Sequence, residues 1–192
     1  MPTANQAAFD FLATRRSRPA KTLSTPVPDE AALRAILTVA ARAPDHKKLE
    51  PWRFAVLEKP ALERLAAMIP ERAAALGIAP EKAAKMQGQF ADADLVVAVI
   101  GVPRDDDAVP ELEQILSTGA VCQTLLAAAL AAGWGANWLT GWASLDRPFV
   151  ETGLGLAPHE FIAAFMHIGT ETIAPPERPR PDLDAIISWI RE

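Results

Sequence analysis

Residues 42–52, RAPDHKKLEPW, form a short basic connection between two segments of different periodicity. Pro44 ends the helix predicted before it, because the residue preceding a proline is disfavoured in the helical conformation. After the connection, apolar residues alternate along 52–57 as they do in a strand. The side chains of Arg42 and His46 are therefore predicted to lie at a helix-to-strand junction.

Helical periodicity extends from this junction towards both ends of the chain. The pattern predicts a first helix from Asn5 to about Arg15, with Asn5 as its cap, and a second helix from Asp29 to the proline. A long apolar segment predicts a third helix over 111–132. Two or three further helices are predicted between 60 and 91, and a short one over 146–152 that is closed by Gly153.

The predicted strands are few. They are the segments 52–57, 95–100, 137–140 and 161–168. Segment 95–100 is apolar throughout and rich in β-branched residues, which indicates a strand buried on both faces. Few strands, many helices and a length of 192 residues predict an α+β fold with one core. We therefore expect a single domain over 1–192, in which residues from about 175 to 192 form a C-terminal tail.

Two parts of the chain need more cover than one subunit offers. The helix over 111–132 is apolar on nearly every side, so the sheet, neighbouring helices or a partner subunit must cover it. In the tail, apolar residues between Leu183 and Ile190 form a stripe that is not stable alone. We expect a homodimer in which the tail docks on the partner subunit, since a two-fold partner covers both surfaces twice.

Composition argues against several classes of partner. A net charge of -5 argues against nucleic acid. No apolar run approaches the roughly 20 residues that span a bilayer, and the N-terminus lacks the layout of a signal peptide. We therefore expect a cytoplasmic protein that does not bind membranes. Cys122, the single cysteine, is expected to be a buried structural thiol.

Positive charge is concentrated in the first third of the chain. Residues 1–53 carry nine lysines and arginines against five acidic residues, whereas the remainder carries ten against nineteen. This asymmetry suits a phosphate-bearing ligand, and a random fluctuation is the alternative explanation.

Common catalytic motifs are absent. The sequence has no P-loop, no serine-nucleophile elbow and no cysteine–histidine spacing for a metal. Gly133-Trp134-Gly135 lacks the third glycine of a dinucleotide fingerprint. We interpret His167, within an apolar strand, as a hydrogen-bonded structural residue, and Asp105-Asp106-Asp107 as a solvated loop. So few acid–base groups favour chemistry carried by a cofactor, with no catalytic protein residue.

Arg15-Arg16-Ser17 stands at the end of the first predicted helix. Two guanidiniums and a hydroxyl can bind a phosphate, because arginine holds phosphate oxygens in a bidentate fork. Arg18 and Lys21 follow closely. Basic residues are also favoured at helix C-termini, so capping is the alternative role.

Four segments carry the most specific signal. They are RRS at 15–17, RAPDHKKLEPW at 42–52, Trp138-Leu139-Thr140-Gly141 and Ile168-Gly169-Thr170. In this order they resemble the nitroreductase family, above all its short YdjA-like branch, over nearly the whole chain. The resemblance implies a nitroreductase-like fold, with a central mixed or antiparallel sheet flanked by helices. It also implies an intertwined homodimer with two FMN sites at the interface.

The resemblance assigns the FMN contacts to three groups of residues. Arg15, Arg16 and Ser17 are expected to hold the ribityl phosphate and the pyrimidine side of the flavin. Arg42 and His46 are expected to reach the flavin, His46 from the opposite subunit. The third group consists of Trp138, Leu139 and Thr140. A nicotinamide-nucleotide contact is implied at Ala128, Ala129, Leu130, Ala131, Ala132 and Gly133.

The implied activity is that of an FMN-dependent oxidoreductase. It takes a hydride from NADH or NADPH at flavin N5 and passes two electrons to an acceptor such as a nitroaromatic or a quinone by a ping-pong route. One alternative is a flavoenzyme of the same fold that does not use nicotinamide, such as a dehydrogenase or a flavin-modifying enzyme. The other is a non-enzymatic flavin-binding dimer.

Two positions depart from the family pattern. Glu50 stands where the family has a glutamine before Pro-Trp. An amide can donate a hydrogen bond to a flavin carbonyl, whereas a carboxylate only accepts and would repel the reduced, anionic flavin. Either Glu50 turns away to pair with Lys47 or Lys48, or the site is tuned differently. Leu139 replaces a polar or basic residue, so a backbone contact would survive there and a side-chain contact would not.

Overall fold

The computed structural model describes residues 3–106 and 108–192, so Asp107 of the acidic triplet lies outside the described part. Its helices are α1 Gln6–Thr14, α2 Glu30–Ala40, α3 Lys59–Ala75, α4 Pro80–Ala91, α5 Glu111–Ala131, α6 Trp142–Leu145, α7 Arg147–Leu154 and α8 Leu183–Ile186. Its strands are β1 Leu23–Ser24, β2 Trp52–Glu58, β3 Leu95–Gly101, β4 Gly135–Leu139 and β5 Phe161–Glu171.

The first helix begins at Asn5, its predicted cap, and the second begins at Asp29, its predicted start, which also acts as a cap. The side chain of Asn5 accepts a hydrogen bond from the N–H of Ala8 at 3.1 Å. The side chain of Asp29 accepts one from the N–H of Ala32 at 2.8 Å. Each cap satisfies one of the N–H groups that the start of a helix leaves without a partner.

The strands form one antiparallel sheet with β5 at its centre. β5 pairs with β3, β4 and β1, and β2 pairs with β3. Asn137 of β4 and Val96 of β3 both lie opposite His167 of β5. The architecture confirms the α+β class and the antiparallel sheet flanked by helices.

Helices cover both faces of the sheet, and each face carries its own hydrophobic core. On one face, α3, α4, α6 and α7 pack against the strands, and the rings of Phe90 and Phe165 meet edge to face at 5.2 Å. On the other face, α2 and α5 pack through residues such as Leu33 and Leu125. β3 is buried along its whole length, as its apolar sequence predicts.

The segment after β4 differs from the prediction. The prediction that Gly153 closes the short helix is wrong, because α7 continues to Leu154 and its C-cap is Gly155, with a left-handed φ of 68°. Gly153 lies inside α7, and a Cβ at this position would collide with the side chain of Leu65. The short elements β1 and α6 were not predicted.

Helix α5 is buried on one side and open on the other. Val121, Cys122 and Leu125 are fully buried, whereas Leu112 and Leu116 are 65% and 63% exposed. Burial raises the pKa of the Cys122 thiol to about 12, which agrees with the predicted structural role. One chain therefore buries only part of the apolar surface of α5, although the sequence predicts that all of it is covered.

Helix α5 also corrects the prediction about long apolar runs. Within residues 3–106 and 108–192 it is the one helix whose length and composition would suffice to cross a membrane. The prediction that no apolar stretch approaches this length is therefore wrong. The buried side of α5 forms the core with α2 and the sheet, as in the core helix of a globular domain.

The C-terminal tail is exposed in a single chain. Beyond β5 it contains one short helix, α8. Its apolar residues Leu183, Ile186, Trp189 and Ile190 are exposed, the last two at 78% and 88%. Docking of this tail on a partner subunit stays a prediction.

Candidate functional site

The Arg15–Arg18 segment is fixed against the edge of the sheet. The N–H of Arg18 donates to the carbonyl of Ala136 in β4 at 2.8 Å. The Asn137 amide donates to the Arg18 carbonyl at 2.7 Å. The backbone after α1 is therefore held beside β4, and Arg15 and Arg16 lie near the end of α5.

Arg15 and Arg16 line a cavity of about 320 Å³ beside the end of α5. The Nε atoms of both arginines are buried and have no hydrogen-bond partner. Arg15 Nη2 lies 3.4 Å from the Ser17 hydroxyl. Burial, with Arg180 and Arg16 nearby, lowers the pKa of the Arg15 guanidinium. Such a cluster of unsatisfied cations is suited to an anion.

One carboxylate, Glu171, also lines this arginine cavity. Its Oε1 lies 3.3 Å from Arg18 Nη1, although the pair lacks the geometry of a hydrogen bond. Glu171 is therefore neutralised by Arg18, which leaves Arg15 and Arg16 available to a ligand.

The start of the C-terminal tail crosses the same cluster. Arg16 Nη2 donates to the carbonyl of Pro176 at 3.1 Å. Arg180 forms an ion pair with Glu177 at 2.9 Å and lies close enough to lower the pKa of Arg15. The tail thus brings both a cation, Arg180, and a carboxylate, Glu177, close to the arginine cavity.

His46 lies at a different place, beside the first half of α5. Arg42 is exposed after the end of α2. His46 lines a cavity of about 320 Å³ together with Pro44, Glu113, Leu116 and Ser117, among others. Its Nδ1 lies 2.8 Å from Glu113 Oε2. The arginines at 15–16 and His46 therefore do not share a cavity within one chain.

The connection that carries His46 has an unusual backbone. Lys47, Lys48 and Glu50 have φ values of 58°, 56° and 48°, which favour glycine or asparagine. The N–H of Glu50 donates to the Asp45 carboxylate at 2.7 Å. Arg104 donates to the carbonyl of Leu49 at 3.3 Å. Side chains therefore stabilise a loop that contains no glycine.

Glu50 is exposed, and no ion pair to it occurs in the part of the chain that the structure describes. Lys47 instead forms an ion pair with Asp106 at 3.2 Å. The pairing of Glu50 with Lys47 or Lys48, one of the two alternatives for this position, is therefore not observed. The carboxylate remains available to face a ligand.

Hydrogen bonds tie the ends of the connection to α5. Trp52 Nε1 donates to the Ser117 hydroxyl at 3.3 Å, and Ser117 donates to the Pro44 carbonyl at 2.7 Å. The Thr118 hydroxyl donates to the Pro51 carbonyl at 3.2 Å. This network fixes the connection between Pro44 and Trp52 in position.

The third predicted group lies at the end of β4. Trp138 Nε1 donates to the carbonyl of Ala163 at 3.1 Å, and Thr140 is exposed just beyond the strand. Leu139 lines a cavity of about 430 Å³ with Lys21, Gln89, Asn137 and His167 among its other lining residues.

His167 is nearly fully buried on β5. Burial lowers the pKa of its imidazole to about 4. Its Nε2 has no partner, so the prediction that this side chain is hydrogen-bonded is not confirmed. His167 therefore presents a neutral ring to the cavity that Leu139 lines.

The predicted nicotinamide segment spans the end of α5. Leu130 and Gly133 line the arginine cavity, whereas Ala129 is fully buried in the core. Among the described residues no cluster of histidine, cysteine or carboxylate side chains could hold a metal ion.

Sequence reasoning missed two features. The first is Glu113, which is 67 residues from His46, and no sequence signal pairs them. The second is a groove of about 910 Å³ between α2 and β2. Val27, Leu33, Leu37, Phe54 and Val56 are among its apolar lining residues. No sequence signal marked this groove, because Val56 is apolar like a core residue and its exposure is visible only in the structure.

Comparison with known proteins relates this geometry to a family. The model of the nitroreductase family matches residues 12–170. The chain is 33% identical over 163 residues to YdjA of Escherichia coli K12, which is named as a candidate NAD(P)H nitroreductase, covering 85% of this chain and 87% of YdjA. A similarly named protein of Haemophilus influenzae is 31% identical over 165 residues, covering 85% and 88%.

Solved structures share the fold. A nitroreductase-like family protein from Bacillus cereus superposes with a TM-score of 0.80 at 22% identity, over 99% of this chain and 98% of that one. A candidate nitroreductase from Desulfovibrio desulfuricans was solved in complex with FMN. It superposes with a TM-score of 0.74 at 22% identity, over 99% of this chain and 100% of that one. The match over residues 12–170 includes the arginines at 15–16, the connection at 42–52 and the end of β4, and on this ground the chain belongs to the nitroreductase family.

Proposed function

We propose that the protein binds FMN, takes a hydride from NADH or NADPH and passes two electrons to an acceptor such as a nitroaromatic or a quinone by a ping-pong mechanism. Family membership makes the chain an oxidoreductase of the NAD(P)H nitroreductase type. The observation that carries the FMN proposal is the arginine cavity, where Arg15 and Arg16 each keep a buried Nε without a partner.

The residues of the arginine cavity fit the phosphate of FMN. Guanidinium groups match phosphate oxygens in geometry and charge, and the hydroxyl of Ser17 lies beside Arg15. We therefore assign the phosphate and the pyrimidine side of the flavin to Arg15, Arg16 and Ser17. Further contacts are assigned to the end of β4, through Trp138, Leu139 and Thr140. At Leu139 the contact would come from the backbone.

When bound, FMN would accept the hydride from the nicotinamide at its N5 atom and pass two electrons to the acceptor. The protein's part is to hold the cofactor and to stabilise negative charge at the N1/O2 edge of the flavin, for which Arg42 and His46 are the candidates. The nicotinamide contact would use the segment from Ala128 to Gly133. Leu130 and Gly133 are placed for it because they line the arginine cavity, whereas Ala129 is buried.

A complete site would need two copies of the chain. Arg15 and His46 line separate cavities in one copy, and an uncovered apolar surface of α5 lies beside His46. We propose a homodimer in which His46 reaches the flavin of the partner. The tail of each copy would occupy the groove between α2 and β2 of the other, because both surfaces are apolar and exposed.

The absorbance spectrum of the purified protein tests this function. We expect FMN to bind in one-to-one stoichiometry and its visible absorbance to bleach within seconds when NADPH or NADH is added without oxygen. Addition of a quinone or nitroaromatic should then restore the absorbance.

A different outcome would contradict each part of the proposed function. A colourless protein that takes up no added FMN would rule out the cofactor. Bound flavin that dithionite reduces and neither NADPH nor NADH reduces would favour a flavoenzyme that does not use nicotinamide, or a flavin-binding protein without activity.

A further inference from the structure

His46 is held by a carboxylate from a distant part of the sequence. Its Nδ1 lies 2.8 Å from Oε2 of Glu113, in the first turns of α5. A carboxylate only accepts hydrogen bonds, so Nδ1 must carry the hydrogen and donate it. The bond leaves Nε2 as the nitrogen that meets a ligand, as an acceptor in the neutral ring and as a donor in the protonated ring.

The backbone around His46 is anchored to the helix that carries Glu113. Ser117 and Thr118 of α5 donate to the carbonyls of Pro44 and Pro51, on either side of His46. The backbone that carries His46 is therefore held on the same helix as Glu113.

The pair also lies beside the uncovered surface of α5. The side chains of His46 and Glu113 are 52% and 49% exposed in one chain, and Leu116 lines the same cavity. A partner chain on this surface, as proposed above, would remove water from the pair. A hydrogen bond is stronger in such a low-dielectric environment.

We infer that Glu113 is a positioning residue for His46. It keeps a hydrogen on Nδ1, so the neutral ring is the Nδ1–H tautomer, and presents Nε2 to the ligand. Only the protonated ring, which carries a hydrogen on Nε2 as well, can stabilise negative charge there. That this ligand is flavin rests on the proposed function, whereas the tautomer does not. Partners that orient histidine ligands of metals act in the same way, and their loss costs roughly 10–100-fold. We expect a roughly tenfold lower kcat/KM for Glu113→Ala on this analogy.

Nitrogen NMR of histidine-labelled protein tests the tautomer directly. The chain has three histidines, so the His46 signals are assigned by their loss in His46→Ala. At a pH where His46 is neutral, we expect a protonated Nδ1 in the wild type, with and without FMN. In Glu113→Ala the ring should shift to the Nε2–H form, which an unrestrained imidazole prefers. Glu111→Gln, an exposed change in the same helical turn, should leave the tautomer unchanged.

A double-mutant cycle tests the functional coupling. If Glu113 acts through His46, Glu113→Ala causes no further loss of kcat/KM in a His46→Ala background. An Nε2–H tautomer in the wild type, an unchanged tautomer in Glu113→Ala, or additive losses would each overturn the inference. A tautomer shift in a protein that binds no FMN would refute the proposed function and leave the Glu113–His46 assignment in place.

Discussion

Arg15 and Arg16 each keep a guanidinium nitrogen that is buried and has no hydrogen-bond partner. A buried donor without a partner destabilises a folded chain by about 1–3 kcal/mol, and more when it is charged. Arg15 also lies near two like charges, Arg16 and Arg180. Capping of α1 does not explain this arrangement, because the side chains of Arg15 and Arg16 donate to Ser17 and Pro176 and not to carbonyls of α1. A bound anion would supply the missing hydrogen bonds and would reduce the repulsion between the like charges.

Replacing Arg15 by alanine should therefore weaken FMN binding. A charge-assisted hydrogen bond contributes about 1.5–3 kcal/mol, so the affinity should fall roughly tenfold to a hundredfold. Flavin-fluorescence titration measures the affinity for FMN. Lys82→Ala serves as the control, because it removes an exposed cation from α4, away from the arginine cavity. Equal affinities in Arg15→Ala and the control would return Arg15 to a structural role.

Glu50 should influence the reduction potential of the bound flavin. Its carboxylate is exposed, and Lys47, its expected partner, is engaged by Asp106. Glu50→Gln removes a negative charge that would oppose the reduced, anionic flavin. We expect the potential to rise by about 20 mV, which corresponds to roughly 1 kcal/mol for a two-electron couple.

A dye-equilibration titration measures this potential, and Glu63→Gln on α3 serves as the control for an exposed carboxylate. An identical potential in wild type and Glu50→Gln would show that the Glu50 carboxylate points away from the flavin.

The sequence predicts individual site residues better than it predicts their grouping. Arg15, Arg16 and His46 stand out because charged side chains adjoin predicted helix ends. Glu113 does not stand out. Nothing in the sequence of α5 distinguishes it from the neighbouring Glu111 as the glutamate that meets a histidine 67 residues away. Such a pairing depends on how α5 packs against the connection at 42–52, which is a tertiary property.

At the scale of elements, the length of each helix or strand determines whether the sequence predicts it. The long periodic segments were found, because a helix or strand of several residues imposes a repeat on its side chains. β1 has two residues and α6 has four, too few to show any repeat. β1 is a strand only through its pairing with β5, in which Leu23 lies opposite Glu171. The choice of Gly155 over Gly153 as the end of α7 likewise depends on packing, since Gly153 fits against Leu65.

The connection between α2 and β2 shows why local sequence is not enough. Positive φ values usually require glycine, and three non-glycine residues adopt them here. Asp45 and Arg104 stabilise this backbone through their side chains. A loop kept in a costly conformation by specific bonds is typical of a functional site, which agrees with the role proposed for His46.

At the scale of the whole molecule, one chain leaves two apolar surfaces open. One is the groove between α2 and β2, and the other is the first half of α5. The same chain carries a tail whose apolar side chains contact little. Burying a large apolar side chain contributes about 1.5–3 kcal/mol, so a tail with five of them can supply much of a dimer interface. In the proposed homodimer, a second copy of this chain would cover all three surfaces at once.

Deleting residues 182–192 should therefore dissociate the dimer and weaken FMN binding together. This truncation removes Trp189 and Ile190 and keeps Arg180, so the charge of the arginine cavity is preserved. We expect the truncated chain to sediment as a monomer at concentrations where the full chain is a dimer. Its FMN should be lost on dilution, because the partner's contact from His46 disappears with the interface.

A control separates the tail's apolar contacts from its length. Arg191→Ala changes an exposed charge within the tail and should leave both sedimentation and FMN binding unchanged. The cross-subunit role of His46 would be refuted if the full-length chain sedimented as a monomer and still held stoichiometric FMN. The tail's docking would be refuted if the truncated chain remained a dimer with unchanged flavin affinity.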